Sequence, residues 1–254
     1  MKTPSGIITL TTDFGTRDGY AGALKGRILK ISPAAVSVDI THDIPPQDIF
    51  RGALALRRAA LQFPEGTVHL AVVDPGVGTS RAGVIIETTR YFFIGPDNGL
   101  LTLAAREDGI RQVVEISESG PHWRKSSSFD GLTMFAPLAA LIASGMDPTE
   151  AGDETDDLTE ITESQPQIKG SEIRGQVVFF DHFGNAVSNI GAALLKKRKI
   201  QKIVLQRGKN SMDCLFCRHY AELAGSKKLG AMLNSDGLLE LCVFGGSARK
   251  AHNL

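Results

Sequence analysis

Three short runs of apolar and β-branched residues, GIITLTTD (6–13), VSVDI (36–40) and TVHLAVVD (67–74), alternate with stretches of helical spacing, and this alternation limits the fold more than any other feature. Between the first two runs, Tyr20, Leu24, Ile28 and Ile31 fall on one helical face, with Asp18 available as an N-terminal cap. QDIFRGALALRRAALQ (47–62) reads as a second helix, AGVIIETTRYFFIGPDNG as two short strands and a turn, and residues 100–106 and 136–145 as further helices. Such an order predicts an α/β domain, with a central, mainly parallel sheet covered by helices, over residues 1–146. From Asp147 the text becomes acidic, and no Lys or Arg occurs between Lys125 and Lys169, so 147–171 reads as a solvated acidic linker. IRGQVVFFD, NAVSNI, KIVLQ and LLELCVF then predict a smaller β-rich, barrel-like domain over 172–254.

The charges balance, with 28 Lys and Arg against 28 Asp and Glu, which leaves no net field to draw the chain to nucleic acid or anionic lipid. The N-terminal apolar stretch is too short for a signal-peptide core or a membrane span, so the expectation is a cytoplasmic protein. Three cysteines, Cys214, Cys217 and Cys242, are too few for a disulfide framework. Cys214, Cys217 and His219 offer three soft ligands in six residues, one fewer than a structural zinc site takes, and no metal or other cofactor is expected.

In parallel α/β sheets, ligands bind beyond the carboxyl ends of the strands. Asp13 ends the first strand-like run and Asp74 the third. Each carboxylate can accept two hydrogen bonds from a vicinal diol, or serve as a cap or turn residue. Asp74-Pro-Gly-Val-Gly-Thr-Ser-Arg81 has glycines that let backbone approach a ligand, and opposite charges that pair if the loop folds back. It lacks the Lys-Ser/Thr ending of a phosphate-binding loop and reads otherwise as a turn stapled by a salt bridge. FFDHFGNAVSNI (179–190) sets Asp181, Asn185, Ser188 and Asn189 around Phe183, which suits an adenine edge and face and equally suits a β-turn. In NSDGLLE (234–240), Asn234 and Ser235 can hold a carboxylate or form a hairpin, and His42 reads as a turn or packing residue. No nucleophile elbow is present for acyl transfer.

Taken in order, TTDFG (11–15), DITHDIPP (39–46), FPEGTVHLAVVDPGVGTSR (63–81), IGPDNGLL (94–101), DHFGN (181–185) and NSDGLLE (234–240) resemble the S-adenosylmethionine hydroxide adenosyltransferases, relatives of the fluorinating and chlorinating enzymes. The resemblance implies hydrolysis of S-adenosylmethionine, with water or hydroxide attacking ribose C5′ and methionine leaving as a neutral thioether. It puts Asp13 on the ribose diol, Asp18 and Tyr20 on the amino-acid end of the ligand, and Asp181, Phe183, Asn185 and Ser235 in the smaller domain's share of the pocket. It further implies a homotrimer with sites at subunit boundaries.

Asp74 and Arg81 match two members of the family's Asp-Arg-His set, which positions and deprotonates the water. The third departs from the pattern. Where the family reads Phe-His-Gly-Arg-Asp before Phe-Ala-Pro, this chain has Phe129-Asp130-Gly131-Leu132-Thr133, then Met134 and Phe135-Ala136-Pro137. His122 lies eight residues upstream. Two carboxylates converging on one site repel, and one then holds a proton to higher pH. Such a pair can act as acid and base; the alternative is an adenosyl-binding protein that no longer turns over. Asp236 stands where the halogenating relatives carry a basic residue, which bears on ligand preference.

Overall fold

A computed structural model describes residues 2–161, 166–196 and 200–254, and its chain divides into two compact units, Met1–Thr162 and Glu163–Leu254. The larger unit is built on a seven-stranded sheet of order β2-β1-β3-β5-β4-β6-β7. β1 (Ile7–Thr12), β2 (Val36–Thr41), β3 (Val68–Val72) and β5 (Phe92–Pro96) run parallel, while β4 (Gly83–Thr88) pairs antiparallel with both β5 and β6 (Ile110–Ile116). Five of the seven strands therefore share one direction, as the expected α/β class requires, and β4 and β7 (Gly152–Glu154) oppose them.

The residue period of two divides the core into two layers. Val68, Leu70 and Val72 of β3 pack with Leu24 and Ile28 of α1 (Tyr20–Ile31) and with Leu138 and Ile142 of α4 (Ala136–Ala143). Ala71 and Val73 turn to the opposite face, against Ala53 and Leu56 of α2 (Ile49–Ala60) and Ala104 and Ala105 of α3 (Thr102–Asp108). Asp48 caps α2 by accepting from Arg51 N at 3.0 Å. Asp18 does not cap α1: that position falls to Gly19 at φ 78°, a left-handed conformation that glycine adopts freely and that leaves Asp18 one residue outside the cap.

The acidic stretch is not a solvated linker along its first half. Asp147 opens a 3-10 turn (Pro148–Ala151) with a capping box, accepting from Thr149 N at 2.9 Å while Glu150 accepts from Asp147 N at 3.0 Å. β7 extends the sheet on β6, Asp97 accepts from both Thr159 N and Thr159 Oγ1 at 2.9 Å, and Glu160 pairs with Arg106. Leu158 and Ile161 close on the α2/α3 core. The cation that pairs with Glu160, Arg106, comes from earlier in the chain, so a count of local charge misreads the segment. The rest of the stretch up to Gln165 lies outside the described residues.

The smaller unit opens with a hairpin of β8 (Gln167–Lys169) and β9 (Glu172–Arg174). Its main sheet has the order β10-β11-β15-β14-β13-β12: β10 (Val177–Phe180), β11 (Ala186–Gly191), β12 (Ile203–Arg207), β13 (Asn210–Phe216), β14 (Gly230–Leu233) and β15 (Leu238–Cys242). This is the β-rich unit expected, a curled half-barrel with β10 and β12 at its edges. α5 (Ala192–Lys196) and α6 (Ala248–Ala251) contribute Leu195 and Ala248 to a core with Ala186, Leu239 and Leu241. Among the described residues, no helix is long and apolar enough to cross a membrane.

Candidate active site

Asp74 follows β3 at its carboxyl end, where the apolar run gives way to a loop of consecutive turns. Val77 N donates to Asp74 O at 3.4 Å and Thr79 N to Gly76 O at 3.2 Å. Thr79 Oγ1 donates to Gly76 O at 2.7 Å and accepts from Arg81 N at 3.2 Å, which turns the chain back on itself. Gly78 is needed here on two counts: its φ is +79°, and a Cβ would stand 2.5 Å from Ser127 O. The loop thus lies directly on the segment that leads to Asp130.

Because the loop closes, the two charges at its ends meet. Arg81 Nε donates to Asp74 Oδ1 at 3.1 Å, and Arg81 Nη2 donates to Asp74 Oδ2 in a short second bond, a bidentate pair. Nη2 also donates to Asp130 Oδ2 at 2.7 Å, and Nη1 to Ala82 O at 3.1 Å. The other oxygen of Asp130 accepts from Ser126 N at 2.6 Å. Asp130 precedes a π-helical turn, Gly131–Phe135, that runs into α4, and the Phe135 ring lies 5.5 Å from the guanidinium carbon. Side-chain exposure is 5% for Asp74, 9% for Arg81 and 0% for Asp130, so this is one buried cation shared by two buried carboxylates.

The electrostatics of Asp74 follow from that arrangement. Burial pushes its carboxyl above the usual carboxylate range; Arg81 opposes the shift, and the Asp130 charge adds to it. The same burial favours the protonated form of Asp74.

Around this set, Asp13 Oδ2 accepts from Gln47 N at 2.9 Å, with Gln47 held at φ 67°. Phe14, Tyr20 and Phe129 form an edge-to-face trio with centroids 5.3 to 6.3 Å apart, and Phe129 is the residue before Asp130. Tyr20 is half exposed, and Asp18 is exposed. His122 is exposed and takes no part in the Asp74–Arg81–Asp130 set; its carbonyl accepts from Arg27 Nη2 at 3.0 Å. His42 is buried as a packing residue, with Nδ1 2.7 Å from Thr12 Oγ1 and Nε2 3.1 Å from Asp39.

The smaller unit gathers its own sequence-predicted residues in a tight turn between β10 and β11. Asp181 Oδ1 accepts from Asn185 N at 2.8 Å and Oδ2 from Asn185 Nδ2 at 3.0 Å, while Phe183 projects from the tip with 74% of its surface exposed. Ser188 is turned inward, donating to Leu239 O at 2.7 Å, and Asn189 Oδ1 accepts from Gln176 N at 2.9 Å, so both serve the sheet. Asn234 shapes the β14–β15 turn by accepting from Asp236 N and Leu238 N, each at 3.0 Å, and leaves Ser235 exposed at the turn. Two residues the sequence reading passed over join this group. Tyr220 donates to Glu240 Oε1 at 2.5 Å, and Asn185 Nδ2 lies 3.5 Å from the Tyr220 hydroxyl. The available signal was a glutamate inside the strand LLELC, where Leu239 and Leu241 face the core and Glu240, between them in sequence, is also buried.

Cys214 is half-buried on β13, whereas Cys217 and Cys242 are buried beside Leu223 and Met232. His219 points to solvent, and among the described residues no three His, Cys, Asp or Glu side chains gather as a metal site would need.

A guanidinium clamped between two buried carboxylates at the carboxyl edge of a mainly parallel sheet, with a separate half-barrel unit, defines a two-unit α/β protein. The chain belongs to the SAM hydroxide adenosyltransferase family: the N-terminal domain of that family matches residues 8–152 and its C-terminal domain residues 175–254. It is 37% identical to a protein named (R)-S-adenosyl-L-methionine hydrolase from Methanocaldococcus jannaschii, over 98% of this chain and 92% of the relative. A protein of the same name from Thermus thermophilus is 36% identical over 96% and 94% of the two chains. Among solved structures, an uncharacterized conserved protein from Thermotoga maritima superposes with a TM-score of 0.84 at 31% identity, covering 98% of this chain and 96% of the other.

Proposed function

We propose that this protein hydrolyses S-adenosyl-L-methionine to adenosine and L-methionine. The observation that carries the reading is the buried Asp74–Arg81–Asp130 set, in which a carboxyl with a raised pKa sits on a fixed guanidinium. Water attacks ribose C5′, the C5′–S bond breaks as the C5′–O bond forms, and sulfur keeps the bonding pair to leave as the neutral thioether of methionine. The proton released by the water passes to Asp74 and then to solvent. Arg81 stabilises negative charge developing on the oxygen, and Asp130 takes the histidine's place by anchoring Arg81 through Nη2, the nitrogen that also serves Asp74.

A sulfonium is already a good leaving group, so the reaction calls for no metal, cofactor or covalent enzyme intermediate. What it calls for is an in-line oxygen and a rigid hold on the ligand. Asp13 accepts from the ribose diol, Asp18 and Tyr20 meet the methionine end, and Asp181, Phe183, Asn185 and Ser235 of the smaller domain hold the adenine end and the carboxylate. The active form is a cytoplasmic homotrimer with its pockets at subunit boundaries, and it binds neither nucleic acid nor membrane.

The test is incubation of purified protein with S-adenosyl-L-methionine, following adenosine and methionine by chromatography. Equimolar products above the rate without protein are expected. Ligand binding with no product above that rate would sink the enzymatic reading and leave an adenosyl-binding protein.

A further inference from the structure

The smaller unit contains a hydrogen-bond relay that the water chemistry of Asp74 does not use. It runs from Glu240, through Tyr220, to Asn185. Glu240 is 3% exposed on β15, where a carboxyl needs partners to be tolerated. Burial pushes it above the usual range, against the bonds from Tyr220 and Asn234 that favour its ionised form. At the Glu240 end the direction of the relay is fixed, because a carboxylate oxygen 2.5 Å from a phenol can only accept. With its hydrogen committed to Glu240, the Tyr220 oxygen presents only lone pairs to Asn185.

Asn185, itself 4% exposed, therefore has two acceptors around one end of its amide: Tyr220 Oη at 3.5 Å and Asp181 Oδ2 at 3.0 Å. Both must face Nδ2. An amide turned the other way would set its carbonyl oxygen against the Asp181 carboxylate and the lone pairs of Tyr220, two repulsive contacts in a buried place. Asn185 Oδ1 is thus the end left over, and it accepts no hydrogen bond from the described residues. Two residues away, the bare ring of Phe183 offers a face for stacking.

We propose that Glu240, acting through Tyr220, is a positioning residue that holds the Asn185 amide with its carbonyl oxygen toward the ligand, so that the smaller domain selects a 6-aminopurine over a 6-oxopurine. The inference rests on the adenosyl reading of this pocket. An acceptor held in one orientation rewards the exocyclic amino group of adenine and repels the carbonyl of hypoxanthine; a freely turning amide would accommodate either. Glu240→Gln reverses the relay, since its amide can donate to Tyr220 and turn the phenolic hydrogen toward Asn185. Tyr220→Phe deletes the link with little change of shape.

The experiment measures adenosine and inosine binding by calorimetry, and KM and kcat for S-adenosyl-L-methionine, in the native protein and both variants. Native protein should prefer adenosine, and each variant should lose roughly tenfold of that preference, with KM raised and kcat little changed, as expected when one oriented hydrogen bond is lost. Should Glu240→Gln fail to fold, Tyr220→Phe alone decides the matter. Equal binding of adenosine and inosine by native protein, or an undiminished preference in the variants, would overturn the relay even if hydrolysis is observed. Adenosine preference that depends on the relay, in a protein that forms no product, would support the relay while removing the enzymatic reading.

Discussion

Replacing Arg81 with Met removes the one cation that two buried carboxylates share while keeping most of the side chain's length. In the native protein the guanidinium makes two bonds to Asp74 and one to Asp130, and it packs on Phe135. Methionine preserves the packing and leaves Asp74 and Asp130 facing each other unpaired. Breaking a buried ion pair by removing one partner costs roughly 3–5 kcal/mol, and here two anions are orphaned at once, so Arg81→Met belongs at the upper part of that range near neutral pH. The pH dependence distinguishes this from simple loss of contacts. Without Arg81, Asp74 loses the cation that opposes its upward shift, and a carboxyl raised above its unfolded value contributes stability that is present at low pH and lost as pH rises through the folded value. The penalty of Arg81→Met relative to native protein should therefore shrink on acidification from neutral pH toward the ordinary carboxylate range. The assay is urea unfolding followed by the fluorescence of Trp123, the chain's only tryptophan, which is buried in the larger unit. Taking differences between variant and native protein at each pH cancels groups far from the site. A penalty below about 1 kcal/mol, smaller than the loss of any buried pair, or one that deepens with acid, would refute the account of Arg81 as the charge that holds this site together.

Two further outcomes follow from the same electrostatics. Asp130→Asn removes the like charge that helps hold the Asp74 carboxyl up, so the acid limb of the pH–rate profile for adenosine formation should move to lower pH; a limb that stays or moves upward would remove Asp74 as the proton acceptor. His69 is fully buried between Phe63, Tyr91 and Phe93, and burial pushes its pKa from 6.5 down to about 3. Since the unfolded chain takes up that proton first, stability is intact above pH 6.5 and falls by about 1.4 kcal/mol per pH unit between the two values. Substituting Phe for His69 should flatten that part of the stability–pH curve, again by Trp123 fluorescence.

Much of the larger unit was legible because its signals are local. The first three strands and both long helices stand within a few residues of where apolar periodicity puts them, since one side of each element faces one core layer. What escaped was set by distant partners. β6 and β7 exist because β4 and each other supply pairing, and Asp147 to Ile161 folds because Asp97 and Arg106 lie waiting on another part of the chain. The same division runs through the candidate site. That Asp74 and Arg81 would pair could be read from the Gly-rich segment between them, whereas nothing local showed that one guanidinium nitrogen would serve both Asp74 and Asp130 across a separation of forty-nine residues.

This sharing changes what the departure at position 130 means. A histidine could both bind the cation's surroundings and exchange a proton, whereas Asp130 is fully buried with one oxygen committed to Ser126 N and the other to Arg81. Its two bonds make it an anchor for Arg81, and the proposed reaction gives the proton to Asp74, the carboxyl that burial raises. Asp74 then carries both tasks in that proposed reaction, orienting the guanidinium and accepting the proton, and its carboxyl is raised chiefly by burial, with the Asp130 charge adding to it. In the proposed reaction, the aspartate that stands at position 130 adds its charge to the burial that raises the Asp74 carboxyl, the group that takes the proton.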